Sequence, residues 1–160
     1  MDLAKQILLA IIFIFVSPHK SIASKLELRG EALIEVTIFK IDVYTAKYYT
    51  SVDKEHLAVL DLHYLMDVKK SLSIKGWKEG FKKLDKKKYG QAMNWIFENT
   101  ISVKEGDIFS IKVEKDKVSL ILNKNIVATS TDPNVRFLAH YPWVGERPID
   151  KKVKNKLLGK

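Results

Sequence analysis

The side chains best suited to binding or catalysis gather in one stretch, Ile38 to Tyr49, which reads I-F-K-I-D-V-Y-T-A-K-Y-Y. It holds the phenols of Tyr44, Tyr48 and Tyr49, the hydroxyl of Thr45, the carboxylate of Asp42 and the ammonium groups of Lys40 and Lys47. Phenols donate and accept hydrogen bonds and ammonium groups donate them. The run is rich in β-branched and aromatic residues and lacks Gly and Pro, so it is predicted as the central β-strand. Side chains alternate across a strand. One face then carries Phe39, Ile41, Val43, Thr45, Lys47 and Tyr49, mostly apolar until Lys47. The other carries Ile38, Lys40, Asp42, Tyr44, Ala46 and Tyr48, mixing charge with two phenols. Alternation leaves open whether that second face is solvated or lines a polar pocket.

Elsewhere the reactive inventory is thin. There is no cysteine, which excludes disulfides, thiolate catalysis, cysteine-based zinc sites and a lipid-modified cysteine. His63 has no second histidine at ligand spacing, so a surface or core histidine is favoured over a metal ligand. No serine–histidine–acid set, Gly-rich phosphate loop, HExxH or paired-carboxylate signature is present. No cofactor and no metal are expected. The formal charge is +9, which raises the question of an acidic partner. Lysines at Lys82–Lys88 and Lys151–Lys160 supply much of it, while Arg29, Arg136 and Arg147 stand singly. That pattern fits solvated helix faces and at most weak contact with an anionic surface. Specific nucleic-acid readers lean on arginine and stacking platforms instead.

The elements that must position these groups follow from the patterning. With 160 residues, 46% apolar and 29% charged, one globular domain with its own core is expected. Ile7 to Val16 is an apolar run after Lys5, broken by Ser17-Pro18 and followed by Ser21-Ile22-Ala23. Such a run is too short to span a bilayer. A secretory signal over residues 1–23, cleaved near Ala23, is favoured over an anchor, giving an exported, periplasmic domain over 24–160. Lys25 to Arg29 alternates as a strand until Gly30, a turn or bulge, and Glu31–Thr37 is read as feeding into the aromatic strand. Ala58–Met66 is the next strand, with Leu60, Leu62, Tyr64 and Met66 on its cleaner apolar face. Ile74, Trp77, Phe81 and Leu84 then recur at helical spacing. Ser71 or Ser73 is positioned as cap and Lys82–Lys88 as a basic end. Gly76 and Gly80 share one side of that helix, where a close-packed neighbour or ligand could approach. A second helix runs from about Tyr89 to Ile101. Strands at Ile108–Glu114, Val118–Leu122 and Ile126–Ser130 are close enough for antiparallel hairpins. Asp132-Pro133 starts a short helix, Tyr141–Gly145 forms a structured loop and Asp150 opens a last helix. The order specifies a single α+β domain with an antiparallel sheet.

Three segments together resemble the bacterial chalcone isomerase-like family of exported proteins. They are F-K-I-D-V-Y-T-A-K-Y-Y at Phe39–Tyr49, G-W-K-E-G-F at Gly76–Phe81, and W-V-G-E-R-P-I-D at Trp143–Asp150 with its closing L-L-G. The resemblance implies an open-faced β-sandwich, an antiparallel sheet covered by a layer of helices. It also implies a catalytic arginine near Glu31–Leu33, where nothing basic stands. The implied threonine falls near Val43, with Thr45 as a substitute two residues on. The implied helix tyrosine and asparagine meet Lys70, Ser71 and Lys78. No catalytic residue is therefore assigned. Fatty-acid-binding relatives are implied to hold a carboxylate with an arginine and a tyrosine. Tyr44 lies near that tyrosine, Tyr48 shares its face, and Arg29 is the nearest arginine. The expectation is a non-catalytic protein holding a small apolar or carboxylate-bearing amphiphilic ligand in the sheet–helix cleft through Tyr44, Thr45, Tyr48 and Arg29. An isomerase with a rearranged site, or an envelope-associated protein using its lysine surface, are the alternatives.

Overall fold

The computed structural model describes residues 25–36, 41–53 and 56–160. The apolar run and cleavage point behind the export expectation lie outside the described residues, as do Thr37 to Lys40 of the aromatic stretch. Strands β1 (Leu26–Val36), β2 (Ile41–Ser51), β3 (Ala58–Tyr64), β4 (Ile108–Val113), β5 (Val118–Leu122) and β6 (Asn125–Ser130) form one six-stranded sheet in sequence order. Every neighbouring pair is antiparallel. Helices α1 (Lys70–Phe81) and α2 (Lys86–Asn99) interrupt the meander between β3 and β4. Helices α3 (Pro133–Leu138), α4 (Tyr141–Val144) and α5 (Lys151–Leu157) follow the last strand. The helices cover one face, so the domain is the open-faced α+β sandwich expected of it.

The register decides which face is buried. Ala46 lies opposite Leu62, which lies opposite Phe109, and Leu60 opposite Ile111, which lies opposite Leu120. These side chains meet Phe81, Ile96, Leu138 and Leu157 from the helices in one core. The mixed face of the aromatic stretch is therefore the core face from Tyr44 to Tyr48, and the outer face holds Thr45 and Lys47, the latter opposite Asp61. Alternation alone could not assign this, because Tyr44 and Tyr48 supply apolar ring area under a polar label.

Several local expectations are corrected. The aromatic stretch is not central: β2 is second from the sheet edge. Nor does Glu31–Thr37 feed into it, since the chain reverses between Val36 and Ile41. No Gly, Pro or Asn marks that reversal in T-I-F-K. Neither Ser71 nor Ser73 caps α1. Lys69 occupies the cap without a side-chain bond, and the Ser102 hydroxyl, 2.9 Å away, accepts from the Lys70 amide instead. Lys86–Lys88 do not end α1 but open α2, where the helix dipole disfavours cations. The Asp85 carboxylate caps that end, accepting from the Lys87 amide. Tyr141–Val144 is a short helix rather than a loop.

Two bulges shape the edge of the sheet. The β1–β2 register skips Arg29 between Leu28 and Gly30, and skips Val43 between Tyr44 and Asp42. Beyond the first, α5 lies directly on the strand: a Cβ on Gly30 would stand 1.9 Å from the Lys156 carbonyl oxygen. At the second, the extra residue breaks alternation, and Val43 is buried alongside Tyr44 on the core side. At the far edge, Asn123 and Lys124 take φ of 48° and 72°, the two-residue turn that matches strand twist.

His140, buried at the N-terminus of α4, lies against β4. Its Nε2 is 2.8 Å from the Ile111 carbonyl oxygen, so that nitrogen carries the proton and donates. Burial pulls its pKa down to about 4. Between that value and the ordinary 6.5 the unfolded chain binds a proton that the folded chain refuses, so stability falls as pH drops through this window. We expect acidification from pH 7 to 4 to cost on the order of 3 kcal/mol through this residue. In urea denaturation, His140→Gln, which keeps a donor for Ile111, should flatten that slope; an unchanged slope would assign it elsewhere.

Candidate functional site

The seam between sheet and helices opens at one end into a cavity of about 520 Å³, within the range of small-molecule sites. Val43, Tyr44, Leu62, Tyr64 and Phe109 form its sheet side, from the end of the strands where β2 begins and β3 ends. Leu72, Ser73, Gly76 and Trp77 of α1 face them. Thr100, Ile101 and Val103 close one flank, Pro142, Trp143 and Ile149 another.

Aromatic contacts hold this chamber open. Trp143 meets Trp77 edge-to-face, centroids 5.1 Å apart at 86°, and Trp77 stacks on Phe81 at 5.4 Å. The Tyr44 and Tyr64 rings are 5.3 Å apart on neighbouring strands, where they lie directly opposite each other. The indole Nε1 of Trp143 donates to the Tyr44 hydroxyl oxygen at 3.0 Å, joining α4 to β2 across the chamber. Gly80 lets α4 approach α1: a Cβ there would stand 2.6 Å from Pro142. One turn earlier, a Cβ on Gly76 would meet nothing within 4 Å. The two glycines on one side of the helix thus divide their roles, one for packing and one for open space beside the cavity.

Electrostatically the chamber is a neutral, donor-bearing site. Tyr44 is half-buried on the cavity wall. Burial, then the neighbouring Tyr64 phenol, pushes its pKa up, against a smaller opposing effect of the Trp143 bond. Burial likewise pushes Tyr64 up to about 12, with Ser73 beside its hydroxyl acting the other way. Both phenols stay protonated at neutral pH. Thr100 is satisfied by the Ile96 carbonyl at 2.7 Å. The charged side chains of the lining are Glu35, Lys75 and Glu79, all exposed, with Glu79 ion-paired to Lys82. No arginine is among the lining residues.

Of the residues singled out in sequence, Tyr44 lines the cavity. Thr45 points the other way, opposite His63 on the uncovered face of the sheet. Tyr48 shares Tyr44's face but lies toward the other end of β2. There it lines a separate, more open hollow of about 780 Å³ with Arg136 and His140. Arg29 stands exposed at the β1 bulge and lines neither space. The structure thus separates four residues that the resemblance grouped. The sequence does not assign Tyr64, Ser73 or Trp143 to the site, and it marks Gly76 only as a place where a neighbour or ligand could approach. Their signals were an apolar strand face that also bore a hydroxyl, and a tryptophan in a Pro-containing turn. Among the described residues no three His, Asp or Glu side chains converge as metal ligands, and no helix is long and apolar enough to cross a membrane.

The family described as chalcone isomerase-like matches residues 18–159. The chain belongs to that family. Among solved structures, a fatty-acid-binding protein of Arabidopsis thaliana aligns with a TM-score of 0.64 at 14% identity, covering 84% of this chain and 87% of that one. At this identity the likeness shows the shared fold. No curated protein matches the sequence. Within this chalcone isomerase-like chain, the implied arginine position near Glu31–Leu33 falls on β1 and carries no base.

The glycine pair gives a test of opposite signs. Gly76→Ala should stabilise the fold by roughly 0.5–1 kcal/mol through helix propensity alone. Gly80→Ala should destabilise it by about 1–3 kcal/mol, because Pro142 and α4 must move. Urea melts of both variants check this, and equal shifts of one sign would refute the division of roles.

Proposed function

We propose that this chalcone isomerase-like protein is a non-catalytic binder of a small apolar or amphiphilic molecule, held between the sheet and α1. The observation that carries the reading is the cavity itself: a mostly apolar cleft with two protonated phenols and no lining arginine. Isomerase chemistry in the manner of the family's enzymes develops negative charge on oxygen, and a nearby cation is the large electrostatic contribution that lowers such a barrier. Here the only lining cation is Lys75, exposed at the surface. The neighbouring Arabidopsis protein, named for binding fatty acids, supports a binding role on the same fold.

Occupancy of the cavity is testable with N-phenyl-1-naphthylamine, an uncharged fluorescent probe. The wild-type chain should bind it saturably with enhanced emission. Gly76→Leu, which places a side chain beside the space, should weaken binding about tenfold or more. Gly90→Leu is the control, since Gly90 on α2 lines neither hollow and a Cβ there also meets nothing within 4 Å. Equal binding by all three chains would place the probe elsewhere and remove this reading.

We also propose export, with cleavage near Ala23, supported by the apolar run Ile7–Val16 and the small residues after Pro18. The intact mass of protein recovered from its own host should begin near Ser24. A full-length mass, with Lys5 retained, would contradict it.

A further inference from the structure

The polar groups around the cavity narrow the chemistry of what it holds. Tyr44 accepts from the Trp143 indole at 3.0 Å and donates to no acceptor among the described residues. The hydroxyl proton therefore has no acceptor within the described protein, on a half-buried residue placed on the cavity lining. A buried donor left without an acceptor is costly, and a ligand that supplies one relieves that cost. The acceptor's charge is constrained as well. The buried lining residues Leu62, Val68, Phe109 and Trp77 carry no charge, and the hydroxyls of Tyr64, Ser73 and Thr100 are neutral. At the rim stand Glu35, Lys75 and Glu79, the last already ion-paired to Lys82. All three rim groups are exposed, where Lys75 keeps its water and offers an anion little net attraction. A carboxylate brought to Tyr44 would shed its hydration and meet no positive partner there. An uncharged oxygen loses far less on the same path.

We infer that the cavity recognises an aliphatic chain bearing an uncharged oxygen acceptor, of ester or alcohol type, which takes the hydrogen bond of the Tyr44 hydroxyl. This rests on the reading of the cavity as a binding site and adds the polarity of the ligand's head. The aliphatic part lies against Val43, Leu72, Ile101 and Ile149, and the oxygen turns toward the Tyr44–Trp143 pair. The Trp143 bond fixes the direction of the phenol. With its oxygen already accepting, the proton is turned away from the indole.

The test compares three ten-carbon probes at pH 7.5: methyl decanoate, decanoate and decane, titrated by the emission of Trp77 and Trp143. Methyl decanoate should bind at least about tenfold more tightly than decanoate, the discrimination expected when one buried charge lacks a partner. Tyr44→Phe should weaken methyl decanoate about fivefold or more and leave decane within about twofold. Independently of whether that variant folds, the carbonyl stretch of methyl decanoate bound to the wild-type chain should shift to lower frequency, as a hydrogen-bonded ester does. Decanoate binding as tightly as the ester, or a carbonyl stretch at its hydrocarbon-solvent value, overturns the inference while leaving the binding role intact. An ester whose affinity ignores Tyr44→Phe removes Tyr44 as its donor. Failure of all three probes to bind contradicts the proposed function itself.

Discussion

One hydrogen bond ties the two layers of this molecule together at the place where they part. The Trp143 indole and the Tyr44 phenol are far apart in sequence, yet they meet at 3.0 Å between a helix of four residues and the second strand. A neutral hydrogen bond of this kind contributes only about 1 kcal/mol net, so it does not hold the domain together. Its importance is geometric. It sets how far α4 stands from the sheet, and α4 in turn seats α1 through the contact of Pro142 with Gly80. Trp143 then braces Trp77 edge-on. With those distances fixed, the bulge at Val43 and the bare backbone at Gly76 leave a space that side chains do not fill.

The rest of the core is conventionally filled, which makes that space informative. Between the two hollows, Ala46, Leu60 and Ile111 are wholly buried and packed against the helices. Side chains from both layers leave this cleft unfilled, and aromatic contacts between Trp77, Phe81 and Trp143 border it. Its chemistry is correspondingly restrained. Phenols whose pKa is raised by burial are poor bases and good donors at neutral pH. Such groups orient a ligand oxygen by hydrogen bonding.

Much of the fold was legible in the sequence, because its signals were local. Alternation marked the start of β1 and β3, close spacing across polar turns marked β4, β5 and β6, Asp132-Pro133 marked α3, and Asp150 marked α5, where its carboxylate accepts from the amides of Lys152 and Val153. The reversal between Val36 and Ile41 was missed because it carries no turn residues. The cap of α1 was missed because it comes from Ser102, brought near only by the tertiary fold. The site was less legible for a related reason. Tyr44 could be found from its strand, but Thr45 beside it faces outward, and Tyr48 serves a different hollow. Trp143 reads as a core aromatic until the structure shows its indole against a phenol. The two glycines of α1 look alike in sequence and differ only in what stands opposite them.

The chain's three tryptophans allow the central claim to be examined directly, because two of them, Trp77 and Trp143, line the cavity and Trp95 does not. Indole N–H resonances in a nitrogen-15 spectrum report on each separately. On addition of an uncharged apolar ligand, the account predicts saturable shifts of the Trp77 and Trp143 signals, with Trp95 unmoved. Shifts of equal size at all three, or none at Trp143 up to the ligand's solubility, would contradict it.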